Sequence, residues 1–390
     1  MKICMLAYTF YESDGRVMMY AESLAKRGDQ VDVIALAREE QPYYEQLNGV
    51  NVYRIQKRIY NEKGRLSYVV KLLRFLIKSG LLLTQRHLKE PYDLIHVHSV
   101  PDFEVFAGLI PKLSGAKIIL DIHDIVPEFY AGKFNRAKDS LLFSLLVLVE
   151  KISCAFSDHV IIANDLWRKR LISRSISEEK CSVILNYPNS EMFFPRPKIR
   201  KDNRFVIVYP GSLNWHQGID VAVKAFNRIK DEAPSAVFYI YGEGSEKESL
   251  LRLIRRLGLE TKIFIKQKVP TSVIPKIIAN ADLGIVPKRA ISFGNEAFST
   301  KIFEFMAVGI PVIVSATKID RYYFNNSIVK YFRSQDEKDL ADTILLLMRD
   351  KKLRKDLTEK ALKYMKNNNW DVKRHIYLDL VDSLVEKDKS

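Results

Sequence analysis

At 390 residues the chain is too long for one ordinary hydrophobic core, so two domains are expected. Its 47% hydrophobic and 28% charged residues exclude a disordered chain, and uninterrupted apolar runs such as "LLVLV" are too short to span a bilayer. The formal net charge of +15 points to an anionic partner, but no zinc finger, aromatic RNP-type pattern or basic tail accompanies it, which argues against nucleic acid.

The opening "KICMLAY" reads as a strand, and "MKICMLAYTFYESDG" turns polar too soon for a signal peptide. Val17, Tyr20, Ala21 and Leu24 then recur at helical spacing, Gly28 closes the helix, and "VDVIAL" is the next strand. Further strands follow at "VNVYRI", "YDLIHVHS", "AKIILDI", "DHVIIA" and "CSVIL". Between them, "KRIYNEKGRLSYVVKLLRFLIKSGLLLTQRHLK" (57–89) places Lys71, Arg74 and Lys78 on one face of a helix with Leu72, Leu73, Leu76 and Ile77 around them. Such a helix suits either an anionic membrane interface or a sheet-covering position with its basic side in water. Cys4, Cys154 and Cys181 are widely spaced and lack a CxxC pattern, which favours a reducing compartment. The expectation is a cytoplasmic protein, with peripheral attachment to the inner face of the membrane left open.

"NYPNSEMFFPRPKIRKDNR" has prolines, clustered charge and no periodicity, so it reads as a linker. A second alternation begins at "RFVIVYPGS" and runs through "AVFYIYGEG", "KIFIK", "LGIVPK" and "PVIVS", and the tail from Asp336 is helical. Near-continuous Val/Ile/Leu strands alternating with helices imply parallel sheets covered on both faces. The fold class is therefore α/β, with two doubly wound Rossmann-like domains facing each other across a cleft. The domains are expected at 1–188 and 205–368, joined by a linker at 189–204, with a C-terminal helix at 369–390 packing back toward the first.

In such sheets ligands gather where strands end. After the first strand, Gly15 precedes a helix, without the GxGxxG of a dinucleotide site. "IHVHS" sets His96 and His98 on one face, and "DIHDIVPE" adds His123, Asp124 and Glu128. These could ligate a metal, but spacing alone is a poor metal signal; polar packing and substrate contact at a strand end is the favoured reading, with no metal. In the second domain "YPGSLNWHQGID" and "YGEGSE" both carry glycines before helices, beside "PKRA" and the stretch "FGNEAFSTKIFEFMAVGIPVIVS". Repeated around one sheet edge, they suggest a phosphate-bearing ligand.

That last stretch holds Glu296 and Glu304 eight residues apart, followed by "FMAVGIPVIVS". With "SDGRVMMYAESLAKRGDQVDV", "DLIHVHS", "DIHD", "VILNYPN", "YPGSLNWHQGID", "YGEGSE" and "ADLGIVP" in order, nearly the whole chain resembles family 4 of the glycosyltransferases. The resemblance implies a GT-B fold and a retaining transferase of the hexosyl- or N-acetylhexosaminyl class. The donor would be a nucleotide-sugar and the acceptor a saccharide or a lipid-linked molecule, in surface polysaccharide or glycolipid assembly, without a cofactor. It implies that Glu296 lies against the donor sugar, that Glu304 binds the ribose hydroxyls, and that His123 reaches the sugar from the first domain. Phe298, Ser299 and Thr300 would meet the donor phosphates with the helix amides, and Lys301 would counter charge on the departing phosphate. By the same resemblance Gly211 and Ser212, with Gly242 and Glu243 at the base pocket, would complete the donor site. Ser212 and Gln217 stand where many members carry basic phosphate ligands, so Arg16, Lys288 or Arg289 are further candidates. An epimerase-like enzyme on the same fold, or a nucleotide-binding protein without activity, are the alternative readings.

Overall fold

The computed structural model describes residues 1–58, 65–134 and 140–386. The chain forms two compact units: residues 1–186 together with those from Arg374 onward, and Tyr187–Lys373.

In the first unit β1 (Lys2–Ala7) leads through α1 (Gly15–Arg27) to β2 (Gln30–Ala37), β3 (Tyr44–Leu47) and β4 (Val50–Lys57). Helix α2 (Arg65–Lys89) returns to β5 (Leu94–Ser99), and a 3-10 segment (Asp102–Gly108) with α3 (Leu109–Leu113) leads to β6 (Lys117–Ile122). Then come α4 (Val126–Phe134), α5 (Leu141–Phe156), β7 (His159–Ile162), α6 (Asp165–Ile172) and β8 (Cys181–Val183). The sheet order is β3-β4-β2-β1-β5-β6-β7-β8, parallel except for β3 against β4. The polar "YEQL" of β3 was not expected as a strand; it is half exposed and hydrogen-bonds only at the sheet's edge.

Capping fixes where α1 lies. The Asp14 side chain accepts from the Val17 amide at 3.2 Å, and Gly28 ends the helix with φ 101°, a conformation that costs glycine little. The order changes direction at β1 and β5, so the crossovers through α2, α3 and α5 lie on the face opposite α1. Residues of α14 complete the α1 face: Tyr377 packs on Tyr20 with ring centroids 4.2 Å apart and hydrogen-bonds His96 Nδ1 at 2.8 Å.

The second unit contains β9 (Phe205–Pro210), α7 (Ile219–Ile229), β10 (Ala236–Tyr241), α8 (Lys247–Arg256), β11 (Ile263–Lys266) and α9 (Ile274–Ala279). These are followed by β12 (Leu283–Val286), α10 (Thr300–Val308), β13 (Val312–Ser315), α11 (Lys318–Tyr323) and β14 (Lys330–Phe332). Helices α12 (Glu337–Arg349), α13 (Lys351–Met365) and α14 (Trp370–Glu386) close the chain, the last running into the first unit. All six strands are parallel, in the order β11-β10-β9-β12-β13-β14, with the direction changing between β9 and β12. The core packs α7 and α12 on this sheet through Phe226, Phe238, Ile240 and Ile344. Residues read as a linker belong to this unit: the Ile199 and Arg200 amides donate to Asn280 Oδ1 at 3.1 Å, and the Arg200 guanidinium pairs with Asp282 at 2.5 Å.

Tyr377 is fully buried, so truncating it should be costly. Tyr377→Ala is expected to lower stability by about 3–5 kcal/mol. Tyr377→Phe, which loses only the hydrogen bond to His96, should cost about 0.5–1.5 kcal/mol. Urea denaturation followed by tryptophan fluorescence measures both, and equal losses would mean that the ring contributes nothing beyond its hydroxyl.

Candidate functional site

The strand ends of the first unit gather a buried polar cluster around Asp121. The Arg16 Nε and Nη2 donate to its two carboxylate oxygens, each at 2.7 Å, while Nη1 donates to Ile184 O at 2.8 Å and Asn186 Oδ1 at 2.7 Å. Every guanidinium nitrogen is thus engaged. Arg16, considered above as a phosphate ligand, is instead a structural cation that joins α1, β6 and the end of β8. Gly15 opens α1, and the space around its α-carbon is clear.

His123 Nε2 lies 3.0 Å from Asp121 Oδ2 and 3.2 Å from His98 Nδ1. Burial works against its imidazolium, yet the adjacent Asp121 carboxylate outweighs it and raises the pKa above the ordinary histidine value. With Nε2 occupied by Asp121, Nδ1 is the atom left for a ligand. Asp124, next in the chain, has its carboxyl pushed up to about 6 by burial, against the pull of His123. Glu128 is not part of this cluster: Arg174 and Arg170 hold it at 2.7 and 3.1 Å.

His96, His98 and Asp121 offer ligand atoms within 4.8 Å of one another, and could hold a metal ion by distance alone. The donor set fits a cation poorly, because Asp121 already accepts a bidentate guanidinium on both oxygens and a second positive charge would sit beside Arg16.

In the second unit the residues singled out by sequence sit at the switch in strand order, where β9 and β12 diverge. Gly211 follows β9 with φ 156°, and a Cβ there would come within 2.0 Å of Lys301 Cε. Its lack of a side chain is what lets Lys301 lie over the end of β9, with Nζ 5.6 Å from the Tyr209 ring centroid. Helix α10, which carries Lys301, is seated by a second close approach: a Cβ at Gly284 of β12 would stand 2.6 Å from the Phe305 ring.

Lys301 and Glu304 are both half-buried, three residues apart on α10. Burial lowers the Lys301 pKa, Glu304 opposes that, and Lys288 adds to it. Burial raises the Glu304 carboxyl, against the pull of Lys301 and a hydrogen bond with Thr300. Among the described residues Lys301 has no carboxylate within ion-pair distance. The other cations considered do: Lys288 Nζ is 3.0 Å from Asp320, and Arg289 Nη2 is 2.6 Å from Asp220. Ser299 caps α10, and its hydroxyl is buried without a hydrogen-bond partner among the described residues.

The remaining candidates are differently placed. Glu296 lies 3.5 Å from Lys318 Nζ. The Phe298 ring packs among Phe303, Tyr323 and Phe324, leaving its main chain as the part available to a ligand. Ser212 is exposed, with its carbonyl accepting from Tyr209 Oη at 2.9 Å, and Gln217 accepts from the same hydroxyl at 3.1 Å. Gly242 donates to Lys266 O at 3.2 Å, and the exposed Glu243 is paired with Lys247 at 2.8 Å. Asp121 was not singled out from sequence, although its place two residues before His123 puts both on one strand face.

A profile described as glycosyl transferases group 1 matches residues 192–364, and one described as a glycosyl transferase 4-like domain matches residues 15–186. The chain belongs to the GT-B glycosyltransferases of the family 4 type. This glycosyltransferase is 28% identical over 309 residues to an uncharacterized glycosyltransferase of Methanocaldococcus jannaschii, covering 76% of this chain and 74% of the relative. It is 23% identical to the alpha-galactosylglucosyldiacylglycerol synthase of Streptococcus pneumoniae, covering 82% and 84%. Among solved structures, sucrose-phosphate synthase from Thermosynechococcus elongatus superposes with a TM-score of 0.78 at 19% identity, over 98% of this chain and 99% of that one. Anabaena HepE in complex with UDP-glucose gives 0.73 at 18% identity, over 97% and 99%.

An NMR titration of the glycosyltransferase should place the His123 midpoint above about 6.5. Its contribution to stability is then complete below that pH and is lost as pH rises through the folded midpoint. A midpoint below 6.5 would mean that burial, not Asp121, dominates.

Proposed function

We propose that this glycosyltransferase moves a sugar, with retention of configuration and without a metal, from a nucleotide-sugar donor to a saccharide or lipid-linked acceptor. The reading is supported above all by Lys301: a half-buried ammonium with no ion-pair partner among the described residues, at the first turn of α10 and three residues from Glu304. A cation whose charged form is disfavoured by burial gains most from an incoming anion. The donor diphosphate would supply that anion, and Ser299, together with the amides of the first turn of α10, would supply hydrogen bonds. In this reading Glu304 accepts from the ribose hydroxyls and Lys301 meets the negative charge that grows on the leaving diphosphate. Glu296 is assigned to the donor sugar, and the free Nδ1 of His123 is the atom that the first unit offers to a ligand.

Because Anabaena HepE is described with UDP-glucose, uridine sugar nucleotides are the first donors to try. The name of the pneumococcal relative is that of a glycolipid synthase, which favours a lipid-linked acceptor and peripheral attachment at the inner face of the membrane. No described helix is long and apolar enough to cross a membrane.

A thermal-shift screen across nucleotide-sugars should identify the donor, since ligand at 100 times its dissociation constant stabilises by about 2.7 kcal/mol. With that donor, Glu304→Gln is expected to weaken nucleoside diphosphate binding by roughly ten- to hundred-fold. Lys301→Ala should reduce turnover by roughly 10²–10³-fold, measured as transfer or as donor hydrolysis. A Lys301→Ala enzyme within a few-fold of the parent would remove this lysine from the mechanism. Turnover should survive a chelator; complete loss restored by a divalent ion would overturn the metal-free assignment.

A further inference from the structure

The turn after β9 holds a hydrogen-bonded chain of side chains running from Tyr209 through Gln217 to His216. Tyr209 is fully buried, and burial pushes its phenol far above the ordinary range, so the hydroxyl keeps its proton. That hydroxyl lies 2.9 Å from Ser212 O and 3.1 Å from Gln217 Oε1, with one proton to give. Gln217 Nε2 in turn lies 3.0 Å from His216 Nε2. An amide nitrogen can only donate, so His216 Nε2 accepts, and the neutral ring carries its proton on Nδ1.

The same chain can hold a charged imidazole without losing a contact. Turning the Gln217 amide over presents Oε1 to His216 Nε2, which can then be protonated and donate. Gln217 Nε2 would donate to Tyr209 Oη, whose own proton goes to Ser212 O. Each donor finds an acceptor in both arrangements, so a change of ring charge leaves no polar group orphaned. In both, Nδ1 keeps its proton and is left over for a ligand.

What faces His216 is cationic. Burial weighs most against its imidazolium, followed by Lys301 of α10 and Lys288 after β12, and no carboxylate counters them; its pKa lies below the ordinary histidine value. Arg289 donates its amide to His216 O at 2.9 Å, but its guanidinium is neutralised by Asp220 of α7 at 2.6 Å. Close packing fixes the turn against the segment after β12. A Cβ at Gly218 would stand 2.1 Å from Pro287 O, one at Gly294 would stand 3.8 Å from His216 Cβ, and the Phe293 ring meets the imidazole edge-on at 6.3 Å. A diphosphate arriving at Lys301 would reverse the balance, because an anion within about 4–6 Å favours the charged ring.

We propose that His216 is a proton-coupled ligand of the donor diphosphate: Nδ1–H donates to a phosphate oxygen while Nε2 takes up a proton from solvent and passes its hydrogen bond to the turned Gln217 amide. The proposal deepens, and rests on, the donor reading above. It supplies, only when an anion is present, the cation that Ser212 and Gln217 do not carry. The bound protein then holds more protons than the free one, so affinity is greatest at low pH and falls as pH rises through the bound midpoint.

The test is isothermal titration calorimetry of the full chain with UDP, GDP and ADP at pH 7, in Pipes, Hepes and Tris, whose different ionisation heats count the protons exchanged. A nucleotide's terminal phosphate itself titrates near about 6, so each value is read against His216→Asn. The parent is expected to take up about half a proton more than that variant. Its affinity relative to the variant should fall roughly five- to twentyfold between pH 6 and pH 8. In Gln217→Glu, whose carboxylate can hold the imidazolium before any ligand arrives, NMR should place the His216 midpoint above about 6.5, and the uptake should vanish. If His216→Asn does not fold, the parent alone decides: its His216 midpoint must rise when the bound nucleotide is added. Equal uptake in parent and His216→Asn, or a midpoint that does not move, would overturn the proposal and leave the donor reading standing. Failure of all three nucleotides to bind would instead overturn the donor reading on which it rests.

Discussion

The bidentate contact of Arg16 with Asp121 organises the first unit more than any other single interaction. Both groups are buried, and each would be expensive to leave unpaired. Joined, they tie the start of α1 to β6 and, through Ile184 and Asn186, to the end of the last strand of the sheet. The same carboxylate fixes His123 and raises its pKa, so the residue assigned to chemistry is oriented by one that serves structure. Arg16 also keeps Asp121 well below the ordinary carboxylate range, although burial pushes the other way.

The second unit divides its buried charges on the same principle but with a different result. Lys288 and Arg289 are matched by Asp320 and Asp220, and hold the loop after β12 in place. Among the described residues Lys301 is left without an ion-pair partner, next to Gly211, where the sheet changes direction. A protein interior tolerates such an imbalance only near a surface that something charged can reach, and the balance of pairing separates scaffold from receptor more sharply than charge alone does.

Most of the architecture was legible because parallel strands covered on both faces must be largely apolar, as "KIILDI" (Asp121 apart, which Arg16 pairs) and "FVIVYP" are. What escaped was structure without that requirement: β3 is polar and lies at an edge, and β14 has three residues. The α10 residues proposed to meet the donor could be read from one contiguous stretch. Arg16 could not, because the partner that occupies it is 105 residues away, and neither could Tyr377, which is 281 residues from His96. On α2 a helical wheel offers two stripes, and only packing against the sheet shows that Leu73, Ile77 and Leu81 stay outside while Leu72 and Leu83 are buried. Lys71 and Lys78, read with Arg74 as an outward basic face, are half-buried, with Lys78 Nζ donating to Ile55 O at 3.2 Å; residues 59–64 of that stretch lie outside the described residues.

The return of α14 to α1 sets an order on how the chain can assemble. Strands β1 through β8 are all made by Val183, yet the ring that covers Tyr20 and caps His96 arrives only at residue 377. At ribosomal rates of about 5–20 residues per second, the first unit waits roughly 10–40 s with that surface open while the second is synthesised. The unit translated first is therefore the one completed last, and during that interval its exposed aromatic face is a natural client surface for chaperones.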